Sequence, residues 1–319
     1  MRILLGLLFS SLLMANEYLP RNIILLDSDF SKYVILVEKS THSLHIYQNN
    51  QSYPKLIKTF KVATGKNKGN KFSQGDRKTP EGVYFLQKFH SSEELHTKYG
   101  NYADIYGSGA FTSNYPNYMD KIKNKSGGGI WLHSTNDNSR INKGLDSRGC
   151  VVVVDKDLKE ISQYVNLQKT PMIISENIHY LQGVTWEDNR KQLIDVLTSW
   201  QSSWRNENLK EYTNHYHRTL FKDPVRGRYA SFKAYKRNVF SNPGKPNIKF
   251  TNLSLLGQGS YVVATMVQEY HSNTVNDTGK KTLYLVKDKD YNWKIIHESW
   301  SKIDPKRDIA FAANINYFK

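Results

Sequence analysis

The sequence predicts an α+β protein of two domains, a mostly-β one followed by one in which helices precede a meander of strands. Three observations carry that reading. The chain has 319 residues, enough for two domains of about 150 residues each. Its first half alternates short runs rich in Val, Ile, Tyr and Phe with turn residues, the mark of strands. Its second half opens on helical periodicity and closes on four strand-like runs, an α+β order. An aromatic content of 13% argues against general disorder, which lacks such residues.

The elements follow in order. Met1-Arg2 is a short basic start, residues 3–14 are apolar, and Ala15 precedes polar Asn16-Glu17. Residues 1–15 therefore read as a secretory signal peptide, too short and wrongly flanked for a membrane span, with an uncleaved anchor as the alternative. No other stretch approaches the roughly 20 apolar residues that spanning needs. The mature protein is expected in the periplasm with no stable membrane span. Residues 16–31 read as a linker or a segment that pairs with another subunit, which leaves a homodimer open. Strands are expected over 33–38, 43–48, 56–63 and 83–88, with a hairpin turn at Asn49-Asn50. A basic glycine-containing loop follows at 65–75, and 99–129 reads as long and irregular, a length that signals function or disorder. Residues 129–133 and 150–154 read as short buried strands. Asp155 is expected to cap a helix to about 165, with Leu158, Ile161 and Val165 on one face. A last strand at 170–175 completes a domain of residues 32–177.

Residues 178–185 read as a linker. From Trp186 a helix is expected to 205, with Leu193, Val196, Leu197, Trp200 and Trp204 on one stripe. Shorter helical patterns cover 209–217 and 229–240, and residues 241–246 break the chain. Strands are expected over 248–256, 261–271, 281–287 and 293–299. The second domain spans 186–305, and 306–319 is a tail.

A single cysteine excludes a disulfide scaffold and any cysteine-rich metal site. In an exported protein a lone Cys150 is either an intermolecular bridge or a thiol with a task. The formal charge of +16 comes without a run of five basic residues. Scattered solvated lysine is therefore the favoured reading; outside the cytoplasm a basic surface also suits anionic wall polymer or lipid head groups rather than nucleic acid. No cofactor and no trusted metal spacing emerges, since His215-x-His217 alone is weak.

His133 ends one apolar run, and Cys150 begins another 17 residues downstream. Two neighbouring strand ends would bring imidazole and thiol together. The thiolate is the nucleophile, and a nearby His accepts the thiol proton and returns it to a leaving amine. Amides around Gly149 and Cys150 are candidates for holding an oxyanion, with Gly149 letting backbone approach substrate. Arg148 would favour thiolate and hold a carboxylate. The bland alternative is a buried Cys opening a Val-rich strand; export, isolation and the Ser147-Arg148-Gly149-Cys150 context weigh against it.

His133 and Ser147-Arg148-Gly149-Cys150-Val151 resemble the active-site block of the L,D-transpeptidase, or YkuD-type, catalytic domain. Val62-Ala63-Thr64-Gly65 and Lys78-Thr79-Pro80-Glu81-Gly82-Val83-Tyr84 resemble the family's strand–TG–loop–TPxG segment. Tyr115-Pro116-Asn117 and Gly129-Ile130-Trp131-Leu132-His133 resemble the subgroup with wall-peptide hydrolases. The resemblance implies a β-sandwich-like fold acting on peptidoglycan stem peptides. Cys150 would attack the carbonyl of the third residue, D-alanine would leave, and a thioester would form. An amine resolves it in a transpeptidase, water in a carboxypeptidase. His133 would be the base, the Ser134 carbonyl its orienter, and Ser147, Arg148, Gly149 and Trp131 the oxyanion and substrate-binding set. Ser134 stands where many relatives have Gly, and Val152 where many have Arg, which moves carboxylate binding toward Arg148. The order His then Cys argues against papain-like and NlpC-type peptidases and, by its spacing, against sortases.

The second half resembles the NTF2-like cone, carried by residues 186–204, Tyr212-x3-Tyr216, 259–270, 279–285 and Trp293-Lys294-Ile295. His215, His217, His271 and His297 are candidates to line its pocket, although each reads first as an ordinary histidine. The expected function is a periplasmic L,D-carboxypeptidase trimming tetrapeptide stems. A transpeptidase and a non-catalytic wall-binding scaffold are the alternatives.

Overall fold

The structure, a computed structural model, describes residues 17–26, 32–50, 53–303 and 316–318. The expected signal peptide lies outside the described residues. No described helix is long and apolar enough to cross a membrane. The chain divides into two compact units: among described residues, 32–50, 53–178 and 316–318 form the first, and 17–26 with 179–303 the second. The opening strands, β1 (Tyr18–Pro20) and β2 (Ile23–Leu26), belong to the second unit.

The first unit begins with an antiparallel meander, β3 (Tyr33–Glu38), β4 (Ser43–Asn50) and β5 (Tyr53–Lys61). The short β6 (Thr64–Gly65) and the long β7 (Gly82–Ser91) follow. Next come α1 (Ser92–Tyr99), a 3-10 segment (Gly100–Tyr106), β8 (Gly109–Ser113) and α2 (Tyr118–Ile122). Then come β9 (Trp131–His133), α3 (Ser139–Lys143), β10 (Leu145–Ser147), β11 (Val151–Val152), α4 (Asp155–Ser162) and β12 (Pro171–Ser175). The main sheet is mixed and runs β11-β9-β8-β7-β12-β3-β4-β5, with β10 and β6 paired beside it. Just past β5, the Ala63 N–H donates to the Val152 carbonyl at 2.8 Å and Ala63 accepts from Val152 at 2.9 Å. The two edges of the sheet thus meet. β3 is buried on both faces, as its unbroken apolar run requires. The core gathers Ile35, Val37, Leu44, Tyr84, Leu86, Phe111, Leu132, Val151, Leu158 and Ile174.

Several expectations change. The stretch 99–129 holds the 3-10 segment, β8 and α2, and β8 sits inside the sheet between β7 and β9. Its small residues Gly109 and Ala110 hide the strand, because tertiary pairing rather than local propensity forms it. α1 escaped notice although Ser91 caps it, its hydroxyl accepting from the Glu94 N–H at 3.2 Å. Val154, not Asp155, stands at the N-cap of α4; the Asp155 carboxylate instead accepts from the Ser108 N–H at 3.0 Å. Asn49 and Asn50 are strand residues opposite Pro54 and Tyr53.

The second unit continues with β13 (Tyr180–Gln182), α5 (Gly183–Arg205), α6 (Leu209–Asn214), β14 (Lys222–Asp223), β15 (Gly227–Arg228) and α7 (Tyr229–Phe240). Four long strands end it: β16 (Asn247–Gln258), β17 (Tyr261–His271), β18 (Asn276–Lys287) and β19 (Trp293–Lys302). The sheet is antiparallel, β19-β18-β17-β16-β2, and β1 pairs β13. Residues 17–26 therefore find strand partners within their own chain, and 178–185 contain a strand and a helix start rather than a bare linker. Trp200, Trp204, Tyr212, Tyr216, Phe221 and Phe232 fill the core. At the other end of the chain, Tyr317 donates its hydroxyl to the Val165 carbonyl at 3.2 Å within the first unit.

Candidate active site

Strands β9 and β11 run parallel, with Val151 level with Leu132 and Val152 level with His133. Alternation sends Leu132, Val151 and Val153 into the main core. His133 and Trp131, with Cys150 and Val152, take the opposite face. The sequence separation between imidazole and thiol is absorbed by α3 and β10, and the two groups share one face of adjacent strands.

His133 is 2% exposed. Its Nδ1 lies 2.5 Å from the Ser134 carbonyl oxygen. A carbonyl only accepts, so Nδ1 carries the proton and Nε2 holds a free lone pair. Burial pushes the imidazole down to about 4; the Ser134 carbonyl opposes that shift and the Arg140 charge adds to it. The Tyr106 ring meets the imidazole edge-on, with centroids 4.9 Å apart. The Ser134 hydroxyl donates to the Tyr106 carbonyl at 3.0 Å and accepts from the Ser108 N–H at 2.8 Å. Serine after the histidine thus fastens the 3-10 segment against the site. Gly107 makes the approach possible, since a Cβ there would sit 2.6 Å from that hydroxyl.

Cys150 is partly buried and donates its thiol to the Gly129 carbonyl at 3.3 Å. Burial pushes the thiol up to about 11, against the Trp131 N–H and the charges of Arg140 and Lys71. Both shifts favour a neutral imidazole and a protonated thiol at rest. The Ser147 hydroxyl donates to the Cys150 carbonyl at 2.6 Å and accepts from the Gly149 N–H at 3.0 Å. That N–H is committed to the turn, which removes it from the expected oxyanion donors. Gly149, at φ +128°, is needed for a different contact than expected: a Cβ would lie 2.7 Å from the Lys78 carbonyl, so the close approach is chain to chain. The Tyr106 phenol offers another donor. Burial first, then the nearby Cys150, pushes its pKa up and keeps its O–H intact.

Arg148 is exposed, its guanidinium 5.9 Å above the Tyr102 ring. Arg140 and Lys71, not Arg148, are the cations that favour thiolate. Trp131 packs against Tyr106 at 5.1 Å, Tyr99 at 6.4 Å and His90 at 6.0 Å, forming an aromatic wall beside the pair. Sequence reasoning missed Tyr99, Tyr102, Tyr106, Lys71 and Arg140; the tyrosine density of 99–106 was the available signal. The upstream motifs brace the cysteine loop. The Gly65 N–H donates to Thr79 Oγ1 at 2.8 Å, and Gly65 pairs with Ser147. Val152 is fully buried in β11 and offers nothing to a carboxylate.

In the second unit, His217 Nδ1 accepts from the Leu220 N–H at 3.2 Å and His215 Nε2 lies 3.2 Å from Ser199 Oγ. His297 Nδ1 lies 3.2 Å from the Lys222 carbonyl, and His271 ends β17. The polar centre of this unit is elsewhere. Lys281 pairs with Glu298 at 3.0 Å, Tyr216 donates to Glu298 at 3.2 Å, and the Lys236 ammonium stands 5.0 Å from the Trp204 ring and 5.1 Å from Tyr212.

Residues 32–174 match the model of the L,D-transpeptidase catalytic domain, and residues 192–299 match the Cds6 C-terminal NTF2-like domain. The solved structure of Bdellovibrio bacteriovorus Bd1075 is 32% identical, with a TM-score of 0.79 over 90% of this chain and 99% of that one. The helical cell shape determining protein Pgp2 from Campylobacter jejuni is 25% identical, with a TM-score of 0.66 over 86% of this chain and 96% of that one. None of the curated proteins matches the chain.

Proposed function

The chain belongs to the L,D-transpeptidase family of peptidoglycan enzymes, with an NTF2-like C-terminal domain, and on that premise we propose that it is a periplasmic L,D-carboxypeptidase. It trims the terminal D-alanine from tetrapeptide stems and leaves tripeptides. The observation that carries this reading is the buried, neutral His133, its Nδ1 proton fixed on the Ser134 carbonyl, on a strand paired with the one that Cys150 immediately precedes.

In the first step His133 Nε2 takes the thiol proton as Cys150 Sγ attacks the third-residue carbonyl carbon. The C–S bond forms, the oxyanion is met by donors such as the Tyr106 hydroxyl, and the C–N bond to D-alanine breaks. The leaving nitrogen takes the proton back from His133. Water then adds to the thioester with His133 as base, the C–S bond breaks, and the tripeptide carboxylate leaves with the thiol restored. Arg148, free at the rim above Tyr102, holds the carboxylate of the departing residue. The buried valine at position 152, where many transpeptidases carry a cation, supports hydrolysis over cross-linking.

The NTF2-like domain recruits the wall, in keeping with the basic charge of the chain, and trimming alters wall and cell shape, as the name of the Campylobacter relative suggests. Mass analysis of purified muropeptides after incubation tests the reading. Loss of one alanine from tetrapeptides supports it. New dimers would identify a transpeptidase, and unchanged muropeptides a scaffold.

A further inference from the structure

Arg140 has no part in the chemistry above, yet it reaches each segment that does. It sits on α3 with a largely buried side chain. Its Nε donates to Asp146 Oδ2 at 2.5 Å, and its Nη1 donates to Thr135 Oγ1 at 3.1 Å and to the Ile105 carbonyl at 3.2 Å. The three acceptors lie on three separate pieces of chain. Asp146 precedes Ser147, which hydrogen-bonds the Cys150 carbonyl. Thr135 follows Ser134, which holds the imidazole. Ile105 precedes Tyr106, whose ring edge meets His133. A guanidinium is suited to this, because its donors leave in fixed directions from one plane, whereas an ammonium is a point charge on a flexible stem.

We propose that Arg140 is a positioning residue, a clamp whose fork sets the cysteine strand, the post-histidine turn and the Tyr106 segment in register with one another. The inference rests on reading His133 and Cys150 as the reacting pair. The charged and titratable groups around the guanidinium are Asp146, Lys143 at 3.9 Å from Asp146, Asp137, His133 and Cys150. Its charge opposes protonation of the imidazole and favours thiolate, so the clamp and the field act on the same pair.

The test uses the full chain with Arg140→Met and Arg140→Lys. Because Cys150 is the chain's one cysteine, iodoacetamide labelling reads that thiol alone and needs no substrate. Arg140→Met is expected to slow labelling at neutral pH by about threefold to tenfold, a fraction of a pKa unit up to one. It should lower kcat on a disaccharide tetrapeptide by about tenfold to a hundredfold, with KM changed less than about twofold. Arg140→Lys should recover most of the labelling rate but little of kcat. Recovery of kcat by lysine, or wild-type kcat per folded molecule in both variants, overturns the proposal. Should Arg140→Met not fold, Thr135→Val removes one of the three acceptors, together with the hydroxyl's own bonds to Asp137; a fall in kcat of about threefold or more with the labelling rate lowered as well supports the clamp, and unchanged kcat overturns it. If the wild-type chain released no alanine while labelling responded as stated, the clamp would stand and the substrate reading would fall.

Discussion

The two units bury titratable groups in opposite ways. In the first, His133 and Cys150 are each desolvated and each left neutral, the imidazole near 4 and the thiol near 11. In the second, charge is retained. Burial pushes Glu298 up, but Lys281 and Lys236 outweigh it and hold the carboxyl below its ordinary range. Burial also pushes Lys236 down to about 8 while Glu298 works the other way. The contrast separates two uses of a low-dielectric interior. A neutral pair moves a proton only when substrate arrives, whereas a compensated ion cluster is charged at rest and is suited to holding something.

The largest break in that comparison comes from the proposed nucleophile. Cys150→Ala should reduce alanine release by at least about a thousandfold, since no other group in the chain can form the thioester. Its circular dichroism should match wild type. Next in size is the ion cluster: Glu298→Gln leaves two lysines uncompensated and should destabilise the second unit by about 3–5 kcal/mol, read as an earlier denaturant midpoint. A similar loss should not follow from Cys150→Ala, since the thiol it removes carries no charge at rest.

The third test uses pH. The folded imidazole of His133 sits near 4 against an unfolded 6.5. Between those values the unfolded state binds the extra proton, so stability falls as pH drops from 6.5 toward 4, by up to about 3 kcal/mol. His215, also pushed down to about 4 by burial, adds in the same direction in the other unit. His133→Asn should therefore flatten part of the acid loss over that window. Asp76, held near 2, acts in a lower window, losing its contribution as pH falls from its ordinary 3.8. The smallest expected effect is Ser134→Ala, which keeps the carbonyl that orients His133 but removes the hydroxyl that fastens Tyr106 and Ser108. A loss of about 1–2 kcal/mol, read as a lower thermal midpoint, is expected, with a modest fall in kcat.

The sequence made some of this legible and hid the rest for identifiable reasons. The strand at 33–38 and the helix after Trp186 announce themselves, because an unbroken apolar run and a 3.6-residue stripe are local signals. The His133 and Cys150 block was readable because its residue types fit only a few chemistries. β8 was hidden because Gly109 and Ala110 carry no strand preference and depend on β7 and β9 for it. The partner of β1 lies more than a hundred residues away in the chain, so 16–31 and 178–185 each looked like connectors. Arg140 and Tyr106 were invisible as site residues for the same reason: α3 and the 3-10 segment reach the imidazole only through tertiary packing. The packing of Gly149 against the Lys78 carbonyl was hidden, since nothing local shows that Lys78 fills the space beside it.

The reaction at Cys150 is tested most directly by intact-protein mass spectrometry of the full chain, quenched in acid during turnover of a disaccharide tetrapeptide. A thioester on Cys150 adds the substrate mass less one alanine, and the account predicts that adduct in wild type, its absence in Cys150→Ala, and loss of alanine release with it. Alanine release by Cys150→Ala at the wild-type rate would contradict it.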